Sequence, residues 1–330
     1  MPGTGVSVGG SPDGSAPGGA DGRGVGSLGA GGPVGAAGSA GAAGPAGGPS
    51  TDPLAALVGL PGVAAAVDAA RVACEELRWH EAYRRRWREV RVEAGLRGAQ
   101  ASAALDGARV PLDAVRALAT GPSASPPSST QGVAWGAVRA TAFVERLMPD
   151  LGARGQAALP PFGQLLAGVH AAATGGWLDP AVIGRVRHAE APRDLTGLGP
   201  APVGDDVAAR LELLARTVAS TRAPALVVAA VVHGELLALR PFVAGNAVVA
   251  RAVARLLVTS RGLDPTGSLL PEPGWAAAPN PYLAAAAGFA TGTSDGVAAW
   301  VRTCAAGAVD GADRARAVAD AVLAGRGAHA

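Results

Sequence analysis

The first 50 residues limit what the rest of the chain can build. They hold 19 of the 49 glycines and only three charged residues, Asp13, Asp21 and Arg23. Large apolar side chains are nearly absent there, so the stretch cannot bury enough surface to offset the entropy of ordering it. Residues 1–50 read as a disordered Gly/Ala/Pro-rich tail, leaving residues 51–330 to form one helical domain. Gly24-Val25-Gly26-Ser27-Leu28-Gly29 matches the spacing of dinucleotide-binding glycines. No strand pattern precedes it and no helix pattern follows, and so glycine-rich a segment yields such a match by chance.

Composition removes several classes. The formal net charge is +2, which provides no broad basic face for nucleic acid or an anionic membrane. All 28 basic residues are arginine. That excludes lysine chemistry, including Schiff bases and the P-loop lysine. Two cysteines, Cys74 and Cys304, cannot form a zinc ribbon or a disulfide framework. No apolar run, such as Ala225–Val232, approaches the roughly 20 residues that span a bilayer. No basic segment followed by an apolar stretch opens the chain, so a soluble, cytoplasmic protein is expected.

Helical periodicity dominates from Thr51 onward, with no strand alternation. Thr51-Asp52-Pro53 is a helix start. A helical pattern runs from Val63 to about Leu105 and is broken by Asp106-Gly107. Within it, Arg84-Arg85-Arg86-Trp87-Arg88 reads either as a solvated face with Trp87 buried or as a phosphate patch. Further helices are predicted from about Leu112 to Gly121, over 131–148, 159–173 and 205–220, from Pro224 to Leu239, and over 247–260. The last three fall at 281–290, 296–306 and 313–324. Pro122–Thr130 is a Pro/Ser loop. Residues 175–204 carry six glycines and four prolines, a composition open to short strands or a hairpin. The six tryptophans read as core residues, and His170 and His188 as isolated.

One arrangement points to chemistry. An apolar helix ends at Arg240-Pro241-Phe242, Gly245-Asn246 makes a turn, and a second helix carries Arg251 one turn in. A glycine turn at a helix start leaves N–H donors pointing outward at the positive end of the dipole, where an anion binds. Arg251 lies near that end and can meet a phosphate as a fork of donors. The same pattern also fits a plain helical corner whose arginine pairs with a carboxylate.

The stretch from His233 through Arg240-Pro241-Phe242-Val243-Ala244-Gly245-Asn246-Ala247-Val248 to Arg251 resembles the core of Fic (Fido) domains. Their pattern is HPFx(D/E)GNGRxxR. Ser102-Ala103-Ala104-Leu105-Asp106-Gly107 is similar to the inhibitory-helix pattern (S/T)xxxE(G/N) of many such proteins, with Asp for Glu. The resemblance covers about residues 60–310. It implies an all-α, Fic-like helical bundle with a small β-hairpin flap, which would fall near 175–204. It implies transfer of AMP from ATP to a hydroxyl of a target protein. It assigns nucleotide binding to Phe242, Gly245, Asn246 and Arg251, and an inhibitory role to Ser102, Asp106 and Gly107. Asp106 would pair with Arg251 despite their separation in sequence.

The departures fall on the reactive positions. The family's catalytic base is Arg240 here, and a guanidinium does not deprotonate in that role. Loss of a general base typically costs about 10²–10⁴-fold. The metal-binding acid is Ala244, which brings no oxygen ligand and argues against Mg²⁺. Ala247 and Val248 replace a glycine and an arginine of the pattern. His233 lies about 10 Å from Arg240 along a helix, too far to take its place, and reads as a core histidine. The expectation is an impaired Fic-like domain that keeps a cradle for ATP phosphates. Arg240 would then offer charge where the metal is missing. An active nucleotidyl or phosphate-group transferase with altered residues, and a non-enzymatic helical interaction domain, remain alternatives. The target protein and oligomeric state are unknown.

Overall fold

α7, Ala225–Leu239, is apolar on all sides, and 12 of its 15 residues are buried. A helix with no polar face has to be enclosed by others, and here it lies at the centre of a helical bundle. The computed structural model describes residues 52–121, 129–154 and 158–326. The expected tail, its glycine match and most of the Pro/Ser loop lie outside the described residues.

Around α7 run α1 (Val63–Arg78), α2 (Trp87–Leu105), α3 (Leu112–Thr120), α4 (Ser129–Glu145), α5 (Phe162–Thr174) and α6 (Asp205–Ser220). They are followed by α8 (Asn246–Ser260), α9 (Glu272–Ala277), α10 (Pro279–Ala290) and α11 (Ser294–Leu323). α7 packs on α8, α1 on α11, and α4 on both α2 and α5. Among the described residues there is no strand, and no helix is long and apolar enough to cross a membrane.

Several elements depart from the sequence expectations. The single pattern over 63–105 is two helices, α1 and α2, separated by a 3-10 turn at Glu81–Arg84. Tyr83 enters the core at that break and bonds Ser268 through its hydroxyl (2.6 Å). Arg84 and Arg85 are exposed, and the half-buried Trp87 carries the guanidinium groups of Arg88 and Arg91 on its ring. The two helices expected at 296–306 and 313–324 are one, α11. Gly307 and Gly311 do not break it; a Cβ there would run into Trp275 and the Leu270–Pro271 backbone, so they admit a close neighbour. Thr51-Asp52-Pro53 leads only to a 3-10 turn, Ala55–Gly59. α9 has no counterpart in the sequence reading. Not every tryptophan is core, since Trp79 is 69% exposed.

The expected hairpin flap is absent. Residues 175–204 form an irregular strap closed by isolated bonds, Arg187 N–H to the Pro241 carbonyl (2.9 Å) and Arg193 N–H to that of Val243 (2.8 Å). A ladder needs successive donors, and Pro192, Pro200 and Pro202 have none. Leu195, Gly199 and Gly204 adopt positive φ, which is incompatible with extended chain.

α4 and α5 approach so closely at Gly136 that a Cβ there would lie 1.9 Å from the Ala173 carbonyl oxygen. Gly163, on the exposed start of α5, has open space. Gly136→Ala is expected to cost about 1–3 kcal/mol in urea unfolding. Gly163→Ala is expected to be neutral or stabilising by up to about 1 kcal/mol; equal effects would contradict this packing.

Candidate functional site

The site is built where α7 ends and α8 begins. Arg240 caps α7 in the left-handed region, at φ 48, and turns the chain into Pro241-Phe242. Asn246 then closes the loop on itself. Its side-chain carbonyl accepts the Phe242 N–H (2.8 Å) and its amide donates to the Phe242 carbonyl (2.8 Å). Gly245, at φ 81, is the N-cap of α8; a Cβ there would lie 2.7 Å from Thr174 Cγ2. Both the conformation and the space require glycine.

His170 holds the loop from below. Its Nδ1 accepts the Gly184 N–H (2.8 Å), so Nε2 carries the proton and donates to the Ala244 carbonyl (3.1 Å). The ring stacks on Phe242 with centroids 3.9 Å apart. Burial pushes its pKa down to about 4. His170 is therefore a positioning residue, not an isolated one. Its partners lie in distant loops, and no local spacing reveals them.

On the opposite wall, α2 ends in a Schellman motif. Ala108 N–H bonds the Ala103 carbonyl (2.8 Å), Gly107 N–H bonds that of Ala104 (3.0 Å), and Gly107 takes φ 85. This stop leaves Asp106 as the C-cap, facing α8. Asp106 Oδ1 lies 2.9 Å from Arg251 Nη2, so the pairing expected from sequence is present. Arg251 also donates from Nε to the Ser102 hydroxyl (2.8 Å) and from Nη2 to the Ser102 carbonyl (3.0 Å). Burial acts to lower the Arg251 pKa, but Asp106 and Tyr282 beside it outweigh burial and hold it above its ordinary value.

The first turn of α8 is also engaged. Asp194, from the strap, accepts the Asn246 backbone N–H (2.8 Å) and its side-chain amide (2.7 Å). Burial is the main cause that raises the Asp194 pKa; the Asn246 bonds act against it, and Asp106 adds to it. Nothing in the sequence singles this residue out, since it is one of three acids, with Asp179 and Glu190, in the Gly/Pro-rich segment. The N–H groups of Ala247 and Val248 have no partner among the described residues.

Between these walls lies a cleft of about 680 Å³, lined among others by Asp106, Asp194, Trp177, Gly245, Val248 and Leu283. Arg240 does not line it, and neither do Phe242, Asn246 and Arg251, all of which are buried. The Arg240 guanidinium turns into the strap and donates to the carbonyls of Leu195 (3.0 Å) and Gly199 (2.7 Å). His233 lies away from the cleft, bonded to Tyr282 (2.9 Å) inside an aromatic cluster with Trp275 and Trp300. Its pKa is pushed down to about 3 by burial, as suits a core histidine. Glu235 pairs with Arg210 (2.6 Å). Ala244 offers no side-chain oxygen, and the nearby carboxylates already serve Arg251 and Asn246. Among the described residues there is no cluster of three metal-ligating side chains. The residues present do not fit a bound Mg²⁺.

No family model matches the chain, and no curated protein does. Solved structures do. A Fic family protein from Desulfovibrio desulfuricans G20 is similar at 22% identity with a TM-score of 0.60, covering 79% of this chain and 75% of its own. Fic-1 from C. elegans is similar at 17% identity with a TM-score of 0.56, covering 79% of this chain and 73% of that one. These likenesses show the fold.

The folded His170 is neutral below the point where the unfolded one, at about 6.5, takes a proton. Its contribution is present above pH 6.5 and is lost as pH falls toward 4. His170→Leu is expected to cost about 1–3 kcal/mol at pH 7 through unsatisfied partners and to flatten the acid limb of stability against pH. An unchanged limb would contradict the assignment.

Proposed function

We propose that this chain, which has the Fic fold, is a catalytically impaired relative of protein adenylyltransferases that keeps a cradle for nucleotide phosphates. One observation carries the reading. The loop Phe242–Asn246 and Arg251 are assembled around the start of α8, while position 240 holds an arginine pointed into the strap and position 244 an alanine. The scaffold for an anion is kept, and the groups for proton transfer and metal binding are not. ATP phosphates would meet the N–H groups of Ala247 and Val248, with Arg251 available once Asp106 leaves it. The Arg240 guanidinium is turned into the strap, so on this reading it does not contact the phosphates as its position invited.

A second reading has its own support. Both groups best placed to bind an anion, Arg251 and the Asn246 N–H, already hold carboxylates of the chain. On that reading the domain binds a protein partner and no nucleotide.

Calorimetry with ATP, with and without Mg²⁺, separates the two. Asp106→Ala is expected to bind ATP at least tenfold tighter than wild type, since removing a like charge at an anion site has that order of effect. Mg²⁺ is expected to change the affinity little. Neither protein is expected to transfer AMP to added protein at a measurable rate. Metal-dependent transfer would establish the active transferase instead. No ATP binding by either protein would leave the interaction domain.

A further inference from the structure

The contact between Asp194 and the first turn of α8 has no part in the pairing of Asp106 with Arg251. Both carboxylates line the cleft, one from the strap and one from the end of α2. Asp194 uses both oxygens on one residue, accepting the Asn246 backbone N–H at 2.8 Å and the side-chain amide at 2.7 Å. Every partner it bonds is neutral. A carboxylate held only by neutral donors at a helix start occupies the seat of an anion, favoured there by the dipole.

The strap that delivers it is locked by two arginines. Arg187 donates to the carbonyls of Arg240 (2.6 Å), Leu239 (2.9 Å), Pro202 (2.7 Å) and Glu190 (3.1 Å). Arg240 donates to those of Leu195 and Gly199, which flank the turn after Asp194. Leu195 sits at φ 56, a left-handed conformation that costs a branched side chain energy and needs such a clamp. Arg193, beside Asp194, lines the cleft with an exposed side chain and no ion-pair partner among the described residues.

We infer that the strap is a second, separate block on the phosphate cradle: Asp194 occupies the start of α8 as an internal competitor, pinned by Arg240, and an incoming phosphate chain binds by displacing it. This rests on the nucleotide reading above and adds a regulation of that site. Arg240, at the position of the missing base, becomes the pin of the strap. Opening exchanges the Asp194 carboxylate for another oxyanion at the Asn246 N–H and releases the strap's bonds from Arg193 N–H to the Val243 carbonyl (2.8 Å) and from Gly204 N–H to the His188 carbonyl (2.7 Å), with Arg193 as the cation that draws the newcomer to the mouth.

The experiment uses the full chain with inorganic tripolyphosphate in metal-free buffer, titrated by calorimetry. The proteins are wild type, Asp106→Ala, Asp194→Asn, the double variant and Arg240→Met. Asn has the size of Asp and can still accept the Asn246 N–H, but its own amide then faces the Asn246 amide donor to donor, so Asp194→Asn removes the charge and loosens the strap, and its thermal unfolding should fall by a few degrees without loss of the fold. Asp194→Asn is expected to tighten binding roughly tenfold. Arg240→Met is expected to tighten it by a smaller factor, since it loosens the pin and leaves the carboxylate. The double variant should bind more tightly than either single variant. Hydrogen exchange gives a readout that a purely structural strap would not move. On adding tripolyphosphate to wild type, the amides of Arg193 and Gly204 should exchange faster. If Asp106→Ala binds as tightly as the double variant, the second block is refuted and the nucleotide reading stands. If the double variant binds no tripolyphosphate, both are refuted.

Discussion

A guanidinium taken out of water gains from each donor it can match, and in this chain that ties the pieces of the site together, although the Nε groups of Arg240 and Arg255 stay unmatched among the described residues. Arg251 is buried in α8 and spends its fork on Ser102 and Asp106, fixing the end of α2 against α8. Arg187 and Arg240 are buried at the end of α7 and spend theirs on main-chain carbonyls of the strap and of α7 itself. Arg255 and Arg91 do the same for the loop before α9, bonding the carbonyls of Leu269, Gly267, Thr266 and Pro265. Irregular segments expose carbonyls that no helix satisfies, and a planar fork of five donors can gather several at once. A composition whose basic residues are all arginine thus has a structural use.

The chemistry follows from which donors these staples leave over. Around α8 the backbone turns tightly, with Gly245 left-handed and Asn246 closing the loop, the geometry on which the proposed phosphate cradle rests. On the proposed reading, the position of the proton-transfer residue is taken by the staple Arg240 and that of the metal ligand by Ala244. What remains is a cleft whose electrostatics are set by two carboxylates of the chain. Each stands where an external anion would be stabilised, and each raises the local cost of bringing one in.

Much of this was legible in the sequence where the cause is local. α6 begins at Asp205 and α7 lies between Pro224 and Pro241 as the sequence indicates, because first-turn acids and proline act within a turn. The partnership of Asp106 with Arg251 was legible through the resemblance, which links two distant motifs. The break between α1 and α2 was not, since burial of Tyr83 against Ser268 decides it across the fold. Nor was the continuity of α11, where Gly307 and Gly311 serve packing and not termination. His170 and Asp194 were invisible for the same reason. Their partners, Ala244 and Asn246, lie 74 and 52 residues away, and no periodicity encodes a contact at that range.

The central claim is that the phosphate cradle exists and is closed from within. A crystal structure of Asp106→Ala with ATP tests it most directly. The account predicts phosphate oxygens at the Asn246, Ala247 and Val248 N–H groups and beside Arg251, with the Asp194 carboxylate moved off Asn246. Asp194 still seated on Asn246, with no nucleotide at the start of α8, would contradict it.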